Sequence, residues 1–441
     1  MRTLVAYPGN GDFAQQVALA FLERRALAAF MTTFHFRENG AIGRLLGAVP
    51  TPTMARFKLE LSRRSITYLP EAVIEERPAW EVARSLAFKG GLGRRIVDSV
   101  WDMMSHDFSR AVGRRLGKGG IGAVYAYEYS ALEAFQEAER RGIATILDLP
   151  SLNSRAFEEL QRREKARFPE LVETDELYFW SKFERRQARR DAEAAVADVI
   201  ITNSSVTKTS HVRYGVAPEK IFVVPLASPP AVPFITQPNL QTPLSVIWAG
   251  KFSIRKAGHL FVEAWTSFCK GSGAQADIYG AIALPDRFCK PAPVGMTFHG
   301  SVPRPVLFEA FSRADVLIFP TLSDGFGMVV TEAFARGLPV ITTNQAGASD
   351  LVRHGENGLL IPAGDVCAIK DALVWCLDNR ERLAEMRYGA LETAKASQWS
   401  NYRCALIAAV SQGLQRAGFE PAFAPLRGMA PWMARGTHFH Q

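Results

Sequence analysis

The chain of 441 residues is 48% hydrophobic and 22% charged, which excludes a disordered protein and predicts two domains rather than one core. No run of about 20 apolar residues is present to predict a membrane span, and the amino terminus MRTLVAYPGNG lacks the features of a secretory signal. The net charge is +8, and residues 1–120 contain 18 Lys and Arg against 11 Asp and Glu.

The positive charge lies mainly between residues 44 and 118, in pairs such as Arg63-Arg64 and Arg114-Arg115 that alternate with apolar residues. Such a stretch can rest on an anionic membrane surface, here the inner face of the plasma membrane, but it is equally consistent with solvated helix faces. Nucleic acid is not expected as a partner, because no recognition motif accompanies the charge. Five cysteines without a CxxC pair favour reduced thiols over disulfides or zinc, and hence a cytoplasmic location.

Predicted strands and helices alternate through the first half of the chain. A strand at 3–7 leads through the turn Pro8-Gly9-Asn10-Gly11 into a helix of about residues 12–28, for which Asp12 suits the N-cap position. Residues 41–118 show only a loose helical pattern. Further strands are predicted at 30–36, 123–127, 144–148, 199–202 and 221–225, with helices at about 130–141 and 154–197.

A proline-rich stretch, residues 228–243, has five prolines and no charge in sixteen positions, which indicates an extended linker. A second alternating series follows, with strands at 245–249, 277–280, 297–300 and 316–319. Two such series predict an α/β protein of two Rossmann-like domains whose parallel sheets face a central cleft, with ligands at the carboxyl ends of the strands. We predict a first domain at 1–228, a linker at 229–243, a second domain at 244–395, a helix at 396–415 that returns to the first domain, and a tail at 416–441.

The most informative stretch is 319–364, where a predicted strand is followed by a glycine turn at 324–327 and a helix of about residues 328–336. This order places unpaired backbone amides and a helix N-terminus at the edge of a parallel sheet, which suits an anionic ligand. Glu332 falls about one turn into the helix, close enough to that edge to accept hydrogen bonds from hydroxyl groups.

This stretch resembles the carboxyl-terminal signature of the retaining glycosyltransferases of family 4, the glycosyl transferases of group 1, which have the GT-B fold. The signature has an acid, then GFG, a second acid after seven intervening residues, G-x-P-V-I, and finally G, an acid and G-x-x-G. The first acid is more often Glu in that family, so Asp324 is a conservative departure. The matching residues are Asp324, Gly325-Phe326-Gly327, Glu332, Gly337-Leu338-Pro339-Val340-Ile341, Gly347, Asp350 and Gly355-Glu356-Asn357-Gly358.

Two lysines mark the start of the second series. Gly250 ends a predicted strand, and Lys251 and Lys256 flank the loop that leads into a helix. Two cations beside a helix N-terminus suit a diphosphate and can neutralise it without a metal. Two exposed lysines on a surface loop without a ligand would give the same sequence pattern. The family has G-R-L-x-x-x-K-G here, so Lys251 replaces an Arg and Ala257 replaces a Gly.

The resemblance implies a role for each residue of the donor site. Asp324 would face the transferred sugar, and Glu332 would bind the ribose hydroxyls of the nucleotide. The leaving diphosphate would be stabilised by the two lysines and by backbone amides close to the glycines. The residues implied at the sugar and diphosphate are Gly250, Lys251, Lys256, Asp324, Gly325, Phe326, Gly327, Met328 and Val329.

The first domain offers weaker candidates. Gly11 belongs to a Gly-Asn-Gly turn that resembles the family's amino-terminal glycine loop, but it also fits an ordinary turn. Glu128 lies where many relatives carry a His, and either a catalytic role or packing of the following helix would explain it. His35 and His106 can likewise be cleft residues or structural histidines.

The resemblance implies a retaining hexosyltransferase that moves a hexose from a nucleotide-diphosphate sugar to a glycan or lipid-linked acceptor, in envelope or exopolysaccharide synthesis. No cofactor is expected, and no metal is required. No carboxylate stands out as a covalent nucleophile, which favours attack on the same face as the leaving phosphate. Two alternatives stay open: a nucleotide-sugar epimerase of the same fold, and a catalytically silent subunit that only binds the nucleotide sugar.

Overall fold

The computed structural model describes residues 1–40, 64–79, 93–169, 176–233 and 240–420, with isolated positions at 44, 48, 58, 61, 62, 81, 83 and 423. Most of the predicted basic stretch between 44 and 92, and most of the predicted tail, lie outside the described residues. The described chain divides into two compact units. The first comprises Met1–Ala126, Ser130–Ile146 and the described part of Leu406–Gln441, and the second comprises Tyr127–Tyr129 and Leu147–Ala405. The predicted domain boundaries stay predictions.

The first sheet has seven strands in the order β3-β2-β1-β4-β5-β6-β7. β1, β4, β5 and β6 are buried along their whole length, as is typical of parallel strands covered on both faces. The elements are β1 (Thr3–Ala6), α1 (Asp12–Glu23), β2 (Leu27–Thr32), β3 (Ile74–Glu76), α2 (Arg94–Leu116), β4 (Ala123–Tyr127), α3 (Leu132–Arg140), β5 (Ala144–Leu149), α4 (Ser154–Arg167), α5 (Glu176–Val196), β6 (Val199–Thr202), α6 (Ser205–Arg213) and β7 (Ile221–Val223).

Four local predictions in this half are wrong. Asp12 is the first residue of α1 and not its N-cap. Gly11 is at the cap position, so no side chain caps this helix. The helix ends at Glu23, because Arg25 adopts a left-handed conformation with φ of 55° and turns the chain directly into β2. β2 therefore runs from Leu27 to Thr32, earlier than predicted. β3 also lies within the stretch that showed only a helical pattern.

The second sheet has six strands in the order β10-β9-β8-β11-β12-β13, and all five neighbouring pairs are parallel. With the first sheet, this confirms the predicted α/β class with two parallel sheets. Its elements are β8 (Ser245–Ala249), α7 (Gly258–Phe268), β9 (Gln275–Tyr279), β10 (Met296–Gly300), α8 (Arg304–Arg313), β11 (Val316–Phe319), α9 (Met328–Phe334), β12 (Val340–Thr343), β13 (Gly358–Ile361), α10 (Val366–Asp378), α11 (Arg380–Ala396) and α12 (Trp399–Arg416).

Two hydrophobic clusters cover the two faces of this second sheet. Alternate residues of β8 point to opposite faces, so Trp248 joins one cluster and Ile247 the other. Aromatic side chains from α7 fill the first cluster, and aromatic side chains from α8 and α9 fill the second. Such burial on both faces fixes the strands, and the loops at their carboxyl ends therefore start from fixed points. Among the described helices, none is both long and apolar enough to cross a membrane.

Candidate functional site

Two loops leave the carboxyl ends of β8 and β11, which are neighbouring strands in the second sheet. Their register pairs Val316 with Val246 and Leu317 with Ile247. β9 lies on the other side of β8, so the strand order reverses between β8 and β11. Ligands of open parallel sheets bind at such a topological switch point. The loop at 250–257 and the loop at 320–327 are therefore the natural place for a site.

The first loop depends on backbone conformations that suit glycine. Gly250 has a φ of 120°, a conformation that L side chains rarely adopt. A Cβ on Gly280 would lie 2.0 Å from the carbonyl oxygen of Gly250, so the two glycines pack backbone to backbone. At the other end of the loop, Ala257 is the N-cap of α7 and has a left-handed conformation, with φ of 62° and ψ of 31°. Alanine is strained there by about 1 kcal/mol relative to glycine.

Lys256 and Arg255 bring positive charge against the second loop. The Lys256 ammonium forms an ion pair with Asp324 Oδ2, lies 4.4 Å from the centroid of the Phe319 ring, and leaves 11% of its side chain exposed. Arg255 Nη1 donates to the carbonyl of Ser323 at 3.0 Å and lies 3.4 Å from Asp324 Oδ2. Arg255 was not predicted from the sequence, and its position directly before Lys256 is the only local signal. Lys251, at the start of the loop, is exposed.

Burial is the largest influence on the charge of Lys256, and it lowers the pKa of the ammonium from 10.5 to about 6, with a smaller contribution from the charge of Arg255. The carboxylate of Asp324 favours the charged form of Lys256 and opposes this fall. The charge of this lysine therefore depends on an anion beside it. A diphosphate placed here would raise the pKa of Lys256 and would itself be stabilised.

The second loop has its carbonyl groups bound and several amide groups free. The carbonyl of Asp324 accepts from the Gly347 amide at 3.0 Å, and the carbonyl of Phe326 accepts from the Ala348 amide at 2.6 Å. Asp324 Oδ1 accepts from the amide of Phe326 at 3.2 Å, and the Phe326 ring is buried in the core. Within the described part of the chain, four amides at the start of α9 make no hydrogen bond: those of Gly325, Gly327, Met328 and Val329. These amides can donate hydrogen bonds to an anionic ligand.

Glu332 lies on α9 and is held by a partner on α8. Its Oε1 accepts from Arg304 Nη2 at 2.7 Å, and 18% of its side chain is exposed. Burial raises the pKa of Glu332, and Arg304 opposes that rise. Among the described residues Oε2 has no partner, so one carboxylate oxygen remains able to accept a hydrogen bond from a ligand hydroxyl. Arg304 was also not predicted, because its contact with Glu332 joins two separate helices.

Side chains of the first sheet's glycine turn and of α1 form hydrogen bonds with the backbone in and around that turn. Asn10 Nδ2 donates to the carbonyls of Phe34 and Arg64 at 2.7 and 2.6 Å. Gln15 Nε2 donates to the carbonyl of Asn10 at 3.0 Å. Gly11 caps α1, whose first residue, Asp12, is an exposed acid. A negative charge at this position disfavours an anionic ligand.

The two candidate histidines make contacts that favour the structural interpretation. His35 is buried; its Nδ1 accepts from the amide of Ile66 at 3.0 Å, and its Nε2 therefore donates to Glu71 Oε1 at 3.0 Å. His106 Nδ1 lies 3.0 Å from Glu133 Oε1 and joins α2 to α3.

Glu128 follows β4 and faces a cation from α5. Its Oε1 lies 3.0 Å from Arg190 Nε, and its amide donates to the carbonyl of Asp148 at 3.0 Å. The next residue, Tyr129, is held in a left-handed conformation with φ of 71°. Glu193 Oε2 accepts from the Tyr129 amide at 2.5 Å, which fixes this loop. Elsewhere, over all positions with described side chains, no three His, Cys, Asp or Glu residues converge as the ligands of a metal ion would.

Known proteins resemble part of this sequence and share the fold of nearly the whole chain. Residues 243–379 match the family model described as glycosyl transferases group 1. The D-inositol 3-phosphate glycosyltransferase of Thermobispora bispora is 32% identical over 114 residues, which are 26% of this chain and 27% of that protein. The chain thus spans about a quarter of the length of this curated relative.

Two solved structures share the fold over nearly the whole chain. The sucrose-phosphate synthase of Thermosynechococcus elongatus superposes with a TM-score of 0.61 at 16% identity and covers 94% of this chain and 100% of that one. The Anabaena protein HepE in complex with UDP superposes with a TM-score of 0.57 at 14% identity and covers 93% and 100%.

Proposed function

We propose that this chain, whose residues 243–379 match the family model of the glycosyl transferases of group 1, transfers a hexose from a nucleotide-diphosphate sugar with retention of configuration. The family and the GT-B fold predicted from the sequence are both confirmed. The acceptor in this proposal is a glycan or a lipid-linked sugar, and the reaction belongs to envelope or exopolysaccharide synthesis. The proposed reaction uses no cofactor and does not require a metal.

The observation that carries the proposal is the pairing of cations with free amides at the switch point of the second sheet. Lys256, with Arg255 behind it, faces the loop whose amides at 325 and 327–329 have no partner among the described residues. This combination suits the two phosphates of the donor. The free oxygen of Glu332 suits the ribose hydroxyls, as in UDP, which is bound in the HepE structure.

In the proposed reaction the bond between the anomeric carbon and the diphosphate oxygen breaks, and its electrons stay on the diphosphate. Lys256 and the loop amides stabilise that charge as it develops. A phosphate oxygen then takes the proton of the attacking acceptor hydroxyl, and the new glycosidic bond forms on the same face. Asp324, held by Lys256, orients the hydroxyls of the transferred sugar.

Location and the candidate residues of the first sheet complete the proposal. We place the protein in the cytoplasm, with attachment to the inner face of the plasma membrane through the basic stretch of the first half. Glu128, after β4, stays our candidate catalytic group, and Gly11, in the turn after β1, stays our candidate for contact with the nucleotide sugar.

A thermal-shift panel of UDP, GDP, ADP and dTDP, with their sugars, tests the donor site. One of these nucleotides should stabilise the wild type in proportion to its concentration over its Kd. The shift should be reduced in Lys256→Ala and Glu332→Ala, and retained in Arg313→Ala, which removes an exposed cation from α8. Equal shifts in wild type and both site variants would contradict the site.

Turnover separates the two alternative functions from the proposed one. A transferase needs the acceptor for release of free nucleoside diphosphate in step with a new glycoside. An epimerase would convert the donor without any acceptor, and a silent subunit would bind the nucleotide and leave the donor unchanged.

A further inference from the structure

The carbonyl oxygen of Gly325 is bound by two hydroxyl groups that come from a distant part of the sequence. Ser204 Oγ donates to it at 2.8 Å, and Thr207 Oγ1 lies within hydrogen-bond distance at 3.1 Å. Both side chains belong to fully buried residues. Ser204 is also the N-cap of α6, and its Oγ accepts from the amide of Thr207 at 3.1 Å. The first turn of α6 thus contacts the loop with the free amides.

The contact is close enough to exclude any side chain at two glycines. A Cβ on Gly325 would lie 2.1 Å from the carbonyl oxygen of Pro150, which itself accepts from Asn203 Nδ2 at 2.8 Å. A Cβ on Gly347 would lie 2.0 Å from the carbonyl oxygen of Gly325. Real Cβ contacts are essentially never this short, so this packing requires glycine at both positions.

A carboxylate anchors the same helix turn from the other side. Asp350 Oδ2 accepts from the amide of Ser205 at 2.7 Å, and Asp350 Oδ1 accepts from the hydroxyl of Ser205. An acid at a helix N-terminus is favourable, because it compensates the unpaired amides there. Asp350 and Gly347 belong to the same short 3-10 helix, Gly347–Leu351, and the Gly347 amide donates to the carbonyl of Asp324 in the loop. The first turn of α6 is therefore attached to the loop directly through the two hydroxyls and indirectly through Asp350.

These contacts decide which way the loop amides point. In a trans peptide the carbonyl and the amide hydrogen point in opposite directions. The carbonyls of Asp324 and Phe326 are bound by amides of 347–348, and the carbonyl of Gly325 is bound by the two hydroxyls. Three successive peptide planes are therefore fixed, and each also contains the amide of the next residue. The first and third planes carry the free amides of Gly325 and Gly327, and the middle plane carries the amide of Phe326, which donates to Asp324 Oδ1. Only the middle plane, which contains the Gly325 carbonyl, is held by residues outside the loops of the second sheet, namely Ser204 and Thr207.

We propose that Ser204 and Thr207 are positioning residues of the donor site: they hold the middle peptide plane of the loop, between the two planes that carry the free amides of Gly325 and Gly327, so that these amides face the diphosphate of a nucleotide sugar. Asp350 secures the helix turn that carries them. This inference rests on the proposed function, because it names what prepares the same site. It also gives the segment Asn203–Thr207 a role in donor binding that its place after β6, in the first sheet, does not suggest.

The test compares two substitutions of Thr207. Thr207→Val removes the hydroxyl and keeps the shape, whereas Thr207→Ser keeps the hydroxyl. Ser210→Ala, on the same helix, is the control for loss of a buried hydroxyl away from Gly325; Ser210 Oγ accepts from the amide of Asn153 at 3.0 Å. Each full-length variant is titrated with the nucleoside diphosphate that stabilises the wild type most, and the KM values for donor and acceptor are measured.

Thr207→Val should weaken nucleotide binding about fivefold, the loss expected for one hydrogen bond, and should raise the KM for the donor by the same factor. The KM for the acceptor should stay unchanged, and Thr207→Ser and Ser210→Ala should bind the nucleotide like the wild type. Asp350→Asn, which keeps the shape and removes the charge, should act in the same direction as Thr207→Val.

Two results would overturn the inference alone: wild-type affinity in Thr207→Val, or equal loss in Thr207→Val and Thr207→Ser. Both would show that the hydroxyl does not prepare the site. Absence of binding by the wild type to all four nucleoside diphosphates would instead overturn the proposed function.

Discussion

The glycine turn at Gly11 and the glycine turn at Gly325 occupy the same kind of position, and their surroundings have opposite charge. Each turn follows a strand next to the point where the strand order of its sheet reverses. In the first sheet the turn is closed by Asn10 and is followed by the acid Asp12. In the second sheet Lys256 and Arg255 face the turn. The backbone provides amides in both places, so the charge of the neighbours decides which turn takes an anion.

The largest expected effect is steric: a methyl group added at Gly325 should destabilise the protein much more than one added at Gly11. Gly325→Ala places its Cβ against the carbonyl of Pro150, so we expect a loss of about 3 kcal/mol in the free energy of unfolding and no nucleotide binding. Gly11→Ala meets the ring of Phe13, which can rotate, and has a φ of −59° that alanine accepts. A loss below about 1 kcal/mol is expected there. Urea unfolding of both variants measures the difference; equal losses would mean that the two turns are packed alike.

The next effect concerns the cations. Lys256→Ala removes a largely buried charge and should weaken nucleoside diphosphate binding by about 10- to 100-fold, the loss expected when a charge-assisted hydrogen bond is removed. Lys251→Ala, at an exposed position, should weaken it no more than about threefold. In the first sheet, Asp12→Asn should leave diphosphate binding unchanged. Calorimetric titration gives all three values, and a stronger effect of Lys251 than of Lys256 would contradict the assignment.

A pH effect distinguishes the second turn further. Burial lowers the pKa of Lys256, and a bound diphosphate raises it again, so the complex binds more protons than the free protein. Nucleotide affinity should therefore fall as the pH rises above the pKa of Lys256 in the free protein. At pH 8, titration in buffers of different ionisation enthalpy should show proton uptake. Lys256→Arg should abolish the uptake, because Arg stays charged, and proton release by the wild type would refute the argument.

The smallest effect is a gain in stability at the start of α7. Ala257→Gly relieves the left-handed conformation and should raise the free energy of unfolding by about 0.5 kcal/mol after the entropy of the added glycine is included. Ala131→Gly is the matched control. Ala131 caps α3 with a φ of −112°, so this change should only destabilise. A denaturation midpoint that falls in both variants would exclude strain at position 257.

Local pattern was enough to predict the elements around the second turn. The apolar run before Pro320, the glycines and the small residues after them placed the start of the helix at 328, where α9 begins. Glycine and lysine positions also placed both loops at the carboxyl edge of one sheet. The same reasoning was less accurate at 12–36, because the chain turns at Arg25, which adopts a left-handed conformation although no glycine marks the position.

The amino-acid order alone determined the α/β class, the family resemblance and which loops carry glycine and charge, since each of these depends on residues near one another in the chain. Only the folded chain decided which groups remain free to bind a ligand. Asp324 is occupied by Lys256, Glu332 is held by Arg304, and Gly325 is bound by hydroxyls 121 and 118 residues earlier. Hydrogen bonds and packing between distant segments fix those partners, and no local pattern records them.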